Sequence, residues 1–242
     1  MQETIARNNN RGLEELREVK FTRNFTKHAA GSVLVEFGDT KAIVTASVEN
    51  RVPRFLMDSG KGWLTAEYSL LPGSTNTRVS RDRGTLISGR TQEIQRLIGR
   101  SLRACVDLTK IGERTITIDA DVIQADGGTR TASISGGFVA IYDAFNKLLE
   151  AGEIEENPII EPVAAVSVGI IKGQIMLDVD YSEDSTADAD ANIVMTESGK
   201  ILEFQTTSEE APFTRGDMIK VLDLGEKGIQ DIIKIQKECL GI

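Results

Sequence analysis

Gln124-Ala125-Asp126-Gly127-Gly128-Thr129-Arg130-Thr131-Ala132-Ser133 joins the most strand-like run of the chain to its most helix-like run. Upstream, Thr115 to Ile123 alternates β-branched and polar residues, as a half-buried strand requires. Downstream, Ile134, Phe138, Ile141, Tyr142, Phe145, Leu148 and Leu149 recur at helical spacing and predict one apolar face of an amphipathic helix. A strand entering a helix through Gly-Gly-Thr leaves the first helical amides without intrahelical partners, at the positive end of the dipole. Such a turn suits a phosphate: Gly128 allows close backbone approach, Thr129 offers a hydroxyl, and Arg130 a planar fork for two phosphate oxygens. An ordinary capped turn with an exposed arginine fits the same residues equally well, since neither the P-loop nor the dinucleotide fingerprint is present.

The 242 residues are 40% hydrophobic and 27% charged, the composition of a globular enzyme with room for a sizeable core. Aromatics at 5% argue against a surface built on stacking single-stranded bases. The net charge of -9 is unevenly spread: Arg78, Arg81, Arg83, Arg90, Arg96, Arg100 and Arg103 fall close together, with Asp82 and Glu93 the acids between them. Two cysteines exclude a disulfide framework and a thiolate metal site. The sequence starts with polar residues, and no apolar run approaches the ~18 residues that span a bilayer. A cytoplasmic protein with no membrane partner is expected.

Residues 1–20 are charged and asparagine-rich and read as a weakly structured or surface-bound arm. Ser32 to Phe37, a Gly38-Asp39-Thr40 turn and Ala42 to Val48 predict a hairpin; Gly62 to Leu70 is a further strand, emptying into Pro72-Gly73 and a polar loop that holds Arg78, Arg81 and Arg83. That loop is either solvated or, given arginine in place of lysine, a set of phosphate contacts. A helix is predicted over about Thr91–Leu108, with Arg96, Arg100 and Arg103 on its solvated face. Arg90 falls in phase with the apolar stripe and is expected to point inward, where a guanidinium needs a phosphate or a protein carboxylate as partner. The single histidine, His28, is read as flanking a turn.

Glu150 to Pro158 is the best internal boundary, dividing an arm (1–20), a first module (21–150) and a second module (158–242). In the second module Val163–Ile171, Lys172-Gly173 and Ile175–Tyr181 predict a hairpin, followed by strands at Asn192–Thr196 and Ile201–Thr207 and a helix over about Thr214–Cys239. Asp178, Asp180, Glu183, Asp184, Asp188 and Asp190 crowd together and repel one another. A hard cation would relieve that, and so would solvation of an acidic loop. The two halves are read as related βα modules.

Several stretches in this order resemble the ribonuclease PH family, phosphate-dependent 3′ to 5′ exoribonucleases, along nearly the whole length. They are Thr26-Lys27-His28, Gly31-Ser32-Val33-Leu34-Val35, Pro53-Arg54-Phe55-Leu56, Gly62-Trp63-Leu64-Thr65-Ala66-Glu67-Tyr68, Gly89-Arg90-Thr91, the Gln124–Ser133 stretch, and Glu183-Asp184-Ser185 followed by Asp190. The resemblance implies an α+β fold of two related βα modules with sheets packed against helices. It implies that Arg90, Gly128, Thr129 and Arg130 bind inorganic phosphate as co-substrate, and that Asp184 and Asp190 hold Mg²⁺ (or Mn²⁺) and, with Arg90 and Arg130, serve catalysis. It further implies that Arg78, Arg81 and Arg83 grip RNA, chiefly the 3′ ends of tRNA precursors and other structured RNAs, in a homo-hexamer built as a trimer of dimers. The alternative is a non-catalytic RNA-binding ring subunit of exosome type. The chain departs from the family's Arg-x-Asp-Gly-Arg and Arg-Pro at Arg7-Asn8-Asn9-Asn10-Arg11 and Arg17-Glu18, and Gly73 stands where a basic residue is usual.

Overall fold

The computed structural model describes residues 7, 10–81, 87–208 and 212–242. Among the described residues two sheets and four helices form an α+β fold with a large apolar core and a small second cluster of Ile171, Met176, Val179 and Ala187. The first sheet contains β1 (Val19–Arg23), β2 (Gly31–Phe37), β3 (Thr40–Glu49), β4 (Trp63–Leu70) and β5 (Thr115–Gln124), in the order β1-β2-β3-β5-β4. β2 and β3 form the expected hairpin, while β4 runs parallel to β5. The crossover between β4 and β5 carries α1 (Gly89–Ala104), as a parallel pair requires. Alternation puts Val33, Val35, Val44, Leu64, Ile116 and Ile118 on the inner face. β1 lies across the end of the segment read as an arm and pairs with β2 from Val19 to Arg23.

α2 (Thr129–Glu150) begins at the glycine turn. It packs on β2 and β3 of the first sheet and on β6 of the second, which contains β6 (Val163–Ile171), β7 (Gln174–Leu177), β8 (Ala189–Thr196) and β9 (Ile201–Ser208) in the order β7-β6-β8-β9. The expectation of one apolar face on α2 is therefore corrected: Thr131 to Ile141 is buried without interruption. The reason lies in small residues on every side: Gly136 meets Val35 and Val44 and Ala140 meets Gly31 in the first sheet, Ser135 bonds Ala165 in the second, and Gly137 lies against Leu102 of α1. α4 (Arg215–Leu240) covers the opposite face of the second sheet, with Gly225 directly against Ile193. Among the described residues no helix is long and apolar enough to cross a membrane.

The N-terminal segment is more ordered than its composition suggests. Arg7 and Arg17 are 5% and 6% exposed, and they reach the acidic segment that follows β7. Arg7 donates to both carboxylate oxygens of Glu183 (2.8 and 2.9 Å) and to the carbonyl of Leu177. Arg11 pairs with Glu183 at 3.3 Å and faces Asp178 and Asp180, while Arg17 binds Asp178 at 2.7 Å. Three guanidiniums thus meet three carboxylates. The crowding of acids is relieved here by protein cations, and leaving either partner of the fully buried Arg17–Asp178 pair alone would cost about 3–5 kcal/mol.

Candidate active site

β5 delivers Gln124 to the turn, and the backbone then goes left-handed twice, at Gly127 (φ 73°) and Gly128 (φ 65°), before α2 starts. A side chain at Gly127 would lie 2.7 Å from the carbonyl carbon of Asp180 and from the carbonyl oxygen of Val179, so this glycine serves contact with the second module. Gly128 is the N-cap and has no capping side chain. No acceptor among the described residues takes the amides of Thr129, Arg130 and Thr131, which leaves an open N-terminus of a 22-residue helix. Ala132 is the first residue whose amide bonds back, to the carbonyl of Gly128 at 3.0 Å, a carbonyl that also accepts from the Thr131 hydroxyl.

Two arginines flank that opening. Arg130 donates through Nη1 to the side-chain oxygen of Gln205 (2.7 Å) and to Glu93 (3.3 Å), which braces one prong of its fork; its side chain is 14% exposed. Arg90 lies in the first turn of α1 and is exposed, so the expectation that it points into the interior is corrected. The first buried residue of the stripe is Ile94, one turn later, and Arg90 extends past the end of the packed region. Both arginines act on one group. The hydroxyl of Tyr68, on the inner face of β4, bonds Thr129 Oγ1 at 2.9 Å; burial raises its pKa, while the Thr129 bond and the charges of Arg90 and Arg130 oppose the rise. Thr129 thus touches Tyr68, and Arg90 and Arg130 are both near enough for their charges to act on it.

The carboxylates approach from the second sheet. β7 stops at Leu177 instead of running on to Tyr181, because Asp178 turns left-handed (φ 52°) and its carboxylate accepts three bonds from Arg17. Asp180 then caps the short helix α3 (Tyr181–Asp184), in a capping box with Glu183. This assigns structural work to Asp178, Asp180 and Glu183. Asp188 accepts from the amide of Gly173. Asp184 ends α3, and Asp190 is the second residue of β8.

Register places Asp190 relative to Arg130. Asp190 pairs with Gly169 and Thr207, and Asn192 with Ser167 and Gln205, so these residues share one face of the second sheet. Asn192 Nδ2 lies 3.4 Å from Asp190 Oδ2 on that face. Gln205 reaches Arg130 from it, and the Ser167 hydroxyl lies close to Gly128. The face is apolar where it packs on the middle of α2, at Ala165 and Val194, and polar where it meets the helix start.

Of the basic loop, Arg78 and Arg81 are exposed and Arg83 lies outside the described residues. The root of the loop is fastened beside the glycine turn, since Ala125 donates to the carbonyl of Ser74 at 2.8 Å and Leu71 to that of Val122. Arg81 is close enough to Asp121 for its charge to oppose the upward effect of burial on that carboxyl. Arg96 and Arg100 are exposed as expected. Arg103 is only partly exposed: it stacks 4.5 Å over the Trp63 ring and donates to the carbonyl of Leu64. The residues missed from sequence are Tyr68, Glu93 and Gln205. A tyrosine in register with Leu64 and Ala66, on a face otherwise apolar, was the one available signal.

Residues 15–145 match domain 1 and residues 161–228 match domain 2 of the family described as the 3′ exoribonuclease family, RNase PH. Among solved structures, the chain is similar to Rrp46 from rice (Oryza sativa) at 19% identity, covering 97% of this chain and 100% of that one, with a TM-score of 0.78. It is also similar to a chain of the Archaeoglobus fulgidus exosome with RNA bound to the active site (20% identity, 94% and 91% covered, TM-score 0.79) and to one of an archaeal exosome core (20%, 95% and 89%, 0.75). At such identities the likeness establishes the fold. With the first domain's model alone spanning more than half of its residues and the second domain following in order, the chain belongs to the 3′ exoribonuclease (ribonuclease PH) family.

Proposed function

We propose that the protein is a phosphorolytic 3′ to 5′ exoribonuclease that trims the 3′ ends of tRNA precursors and other structured RNAs and releases nucleoside diphosphates, in the cytoplasm and as a homo-hexamer. The observation that carries this is the open start of α2, where Thr129 meets Tyr68 and the charges of Arg90 and Arg130 are both felt, beside the polar sheet face that bears Asp190 and reaches Arg130 through Gln205. Attack by phosphate on a phosphodiester brings two anions together, so cations and donors must be fixed before they meet. Arg90, Arg130 and the amides bind and orient the attacking phosphate, and Gln205 holds the Arg130 fork at a set angle. One P–O bond forms to that phosphate as the P–O3′ bond breaks. The RNA keeps a 3′ hydroxyl and is shorter by one nucleotide.

Among the described residues no group of three or more metal-ligating side chains is gathered, and the nearby acids are tied to arginines. Asp184 and Asp190 would hold Mg²⁺ (or Mn²⁺) in the way the ion is bound by one or two carboxylates, with waters and substrate phosphates completing the shell. When bound, the ion would offset charge on the scissile group and the departing 3′ oxygen. Arg78 and Arg81, in a loop whose root lies beside the turn, grip the RNA backbone together with Arg83.

A second reading, a ring subunit that binds RNA without cutting it, is supported by the exosome chains of the same fold and by Arg130 already meeting a carboxylate, Glu93, at 3.3 Å. Short RNA incubated with the protein, Mg²⁺ and increasing phosphate decides between them. Phosphorolysis saturates with phosphate and, supplied with a nucleoside diphosphate, lengthens the RNA 3′ end; a scaffold binds RNA and does neither.

A further inference from the structure

We infer that Arg17 is the positioning residue of this site, fastening the phosphate-side turn to the carboxylate-bearing segment so that both halves keep one register. The inference rests on the phosphorolytic reading and adds what holds its two halves together. One guanidinium faces both. Toward the second module, Nε and Nη2 donate to the two oxygens of Asp178 at 3.0 and 2.7 Å, and the Arg17 amide adds a third bond at 2.8 Å. Toward the first, Nη1 donates to the carbonyl of Asp126 at 2.5 Å, and Nη2 also lies 3.4 Å from that of Gly127.

The neighbouring bonds tie the same two segments. The Tyr181 amide donates to the Asp126 carboxylate at 3.3 Å, and Gly127 abuts the backbone of Val179 to Tyr181. Thr40 closes the turn from behind, accepting from the Asp126 amide and donating to the Gly127 carbonyl. Arg130 follows three residues after Gly127, and Asp184 ends the helix that begins three residues after Asp178. A pair needed only to neutralise Asp178 would leave the remaining donors to solvent. Here they go to the carbonyls that lead into α2, and a planar fork with five fixed donors can serve both sides where an ammonium cannot.

Arg17→Lys therefore separates charge from register. In the full-length protein, with cooperative melting checked first, Arg17→Lys should raise the phosphate KM and lower kcat, together up to about a hundredfold in kcat/KM. RNA affinity should stay within about twofold, because the loop arginines are untouched. Amide exchange should quicken by about tenfold or more at Asp126 and Ala132, whose amides are bonded to Thr40 and Gly128, and at residues 178–184 together, while β2 and β3 keep wild-type protection. Asp178→Asn, which retains one acceptor, should give the same joint acceleration and serves if Arg17→Lys does not fold. Combining the two should cost no more than the worse single change, since both act through one link. Wild-type kinetic constants in Arg17→Lys, or faster exchange in only one of the two segments, overturns the inference. If the wild-type protein shows no phosphate-dependent turnover, the phosphorolytic reading has failed on its own, and the exchange pattern then decides whether Arg17 sets the register.

Discussion

Replacing Arg130 by alanine removes the fork at the mouth of α2 and should separate catalysis from stability. Nη1 is committed to Gln205 and Glu93, while Nε and Nη2 have no acceptor among the described residues and remain for an anion. Two charge-assisted hydrogen bonds at about 1.5–3 kcal/mol each amount to roughly 3–6 kcal/mol. At about 1.4 kcal/mol per tenfold, that is a loss of on the order of 10²–10⁴ in kcat/KM for phosphate. The folded state loses much less. The Arg130–Glu93 pair involves a carboxylate side chain 42% exposed, and such a pair contributes about 0–1 kcal/mol. Steady-state phosphorolysis at fixed RNA and varied phosphate, beside a thermal melt and an RNA-binding titration, measures all three quantities. The expected pattern is a collapse of kcat/KM with RNA affinity unchanged and the melting temperature lower by a few degrees at most. A drop of less than about fivefold in kcat/KM, or equal losses in rate and RNA binding, would refute the assignment of Arg130 to the phosphate.

Four other changes probe separate parts of the molecule. Asp184→Asn should abolish turnover and leave RNA affinity within about twofold, because it alters the reacting centre and not the basic loop; a parallel fall in both, read by filter binding and product release, marks a folding defect instead. Arg78→Ala with Arg81→Ala should flatten the dependence of log K on log salt by about one unit per lost contact, and an unchanged slope removes the loop from the RNA interface. Gly127→Ala puts a side chain 2.7 Å from the Val179 carbonyl on a left-handed backbone, which at roughly 2–4 kcal/mol should lower the melting temperature by about 5–15 °C. Asp119 is raised by burial and then by Glu67 and Asp121, so its protonated form favours the fold: that stability is present below the ordinary carboxylate range and is lost as pH rises through the raised value. Asp119→Asn should accordingly increase the melting temperature at pH 7 and have no effect below about pH 4; an equal gain at both would contradict the electrostatic cause.

The elements that local pattern determines were legible in the sequence. The β2–β3 hairpin follows from alternation on either side of Gly38-Asp39, and the strand–glycine–helix turn from Ile123 to Ile134 lies where the change of period puts it. What the sequence hides is what covers the far side of an element. Apolar spacing on α2 announces one buried face, yet Ser135 is equally buried because the second sheet closes over it at Ala165. Arg7, Arg11 and Arg17 look like a solvated arm until their acidic partners, more than 160 residues away, fold against them. The same pairing hides the structural work of the acids: Asp178 and Asp180 are spoken for by Arg17 and by the cap of α3, which spacing along the chain cannot reveal. Arg90 was misplaced for the opposite reason, since phase with the stripe says nothing about where the packed region ends.

The central claim, that phosphate is the nucleophile held at the start of α2, is tested most directly by following the label. RNA is incubated with the protein, Mg²⁺ and ³²P-labelled inorganic phosphate, and the mononucleotide products are separated. The expected product is a nucleoside diphosphate carrying the label as its terminal phosphate, formed at a rate that disappears when phosphate is omitted. Unlabelled nucleoside monophosphates formed at the same rate without phosphate, or RNA bound and left intact, would contradict it.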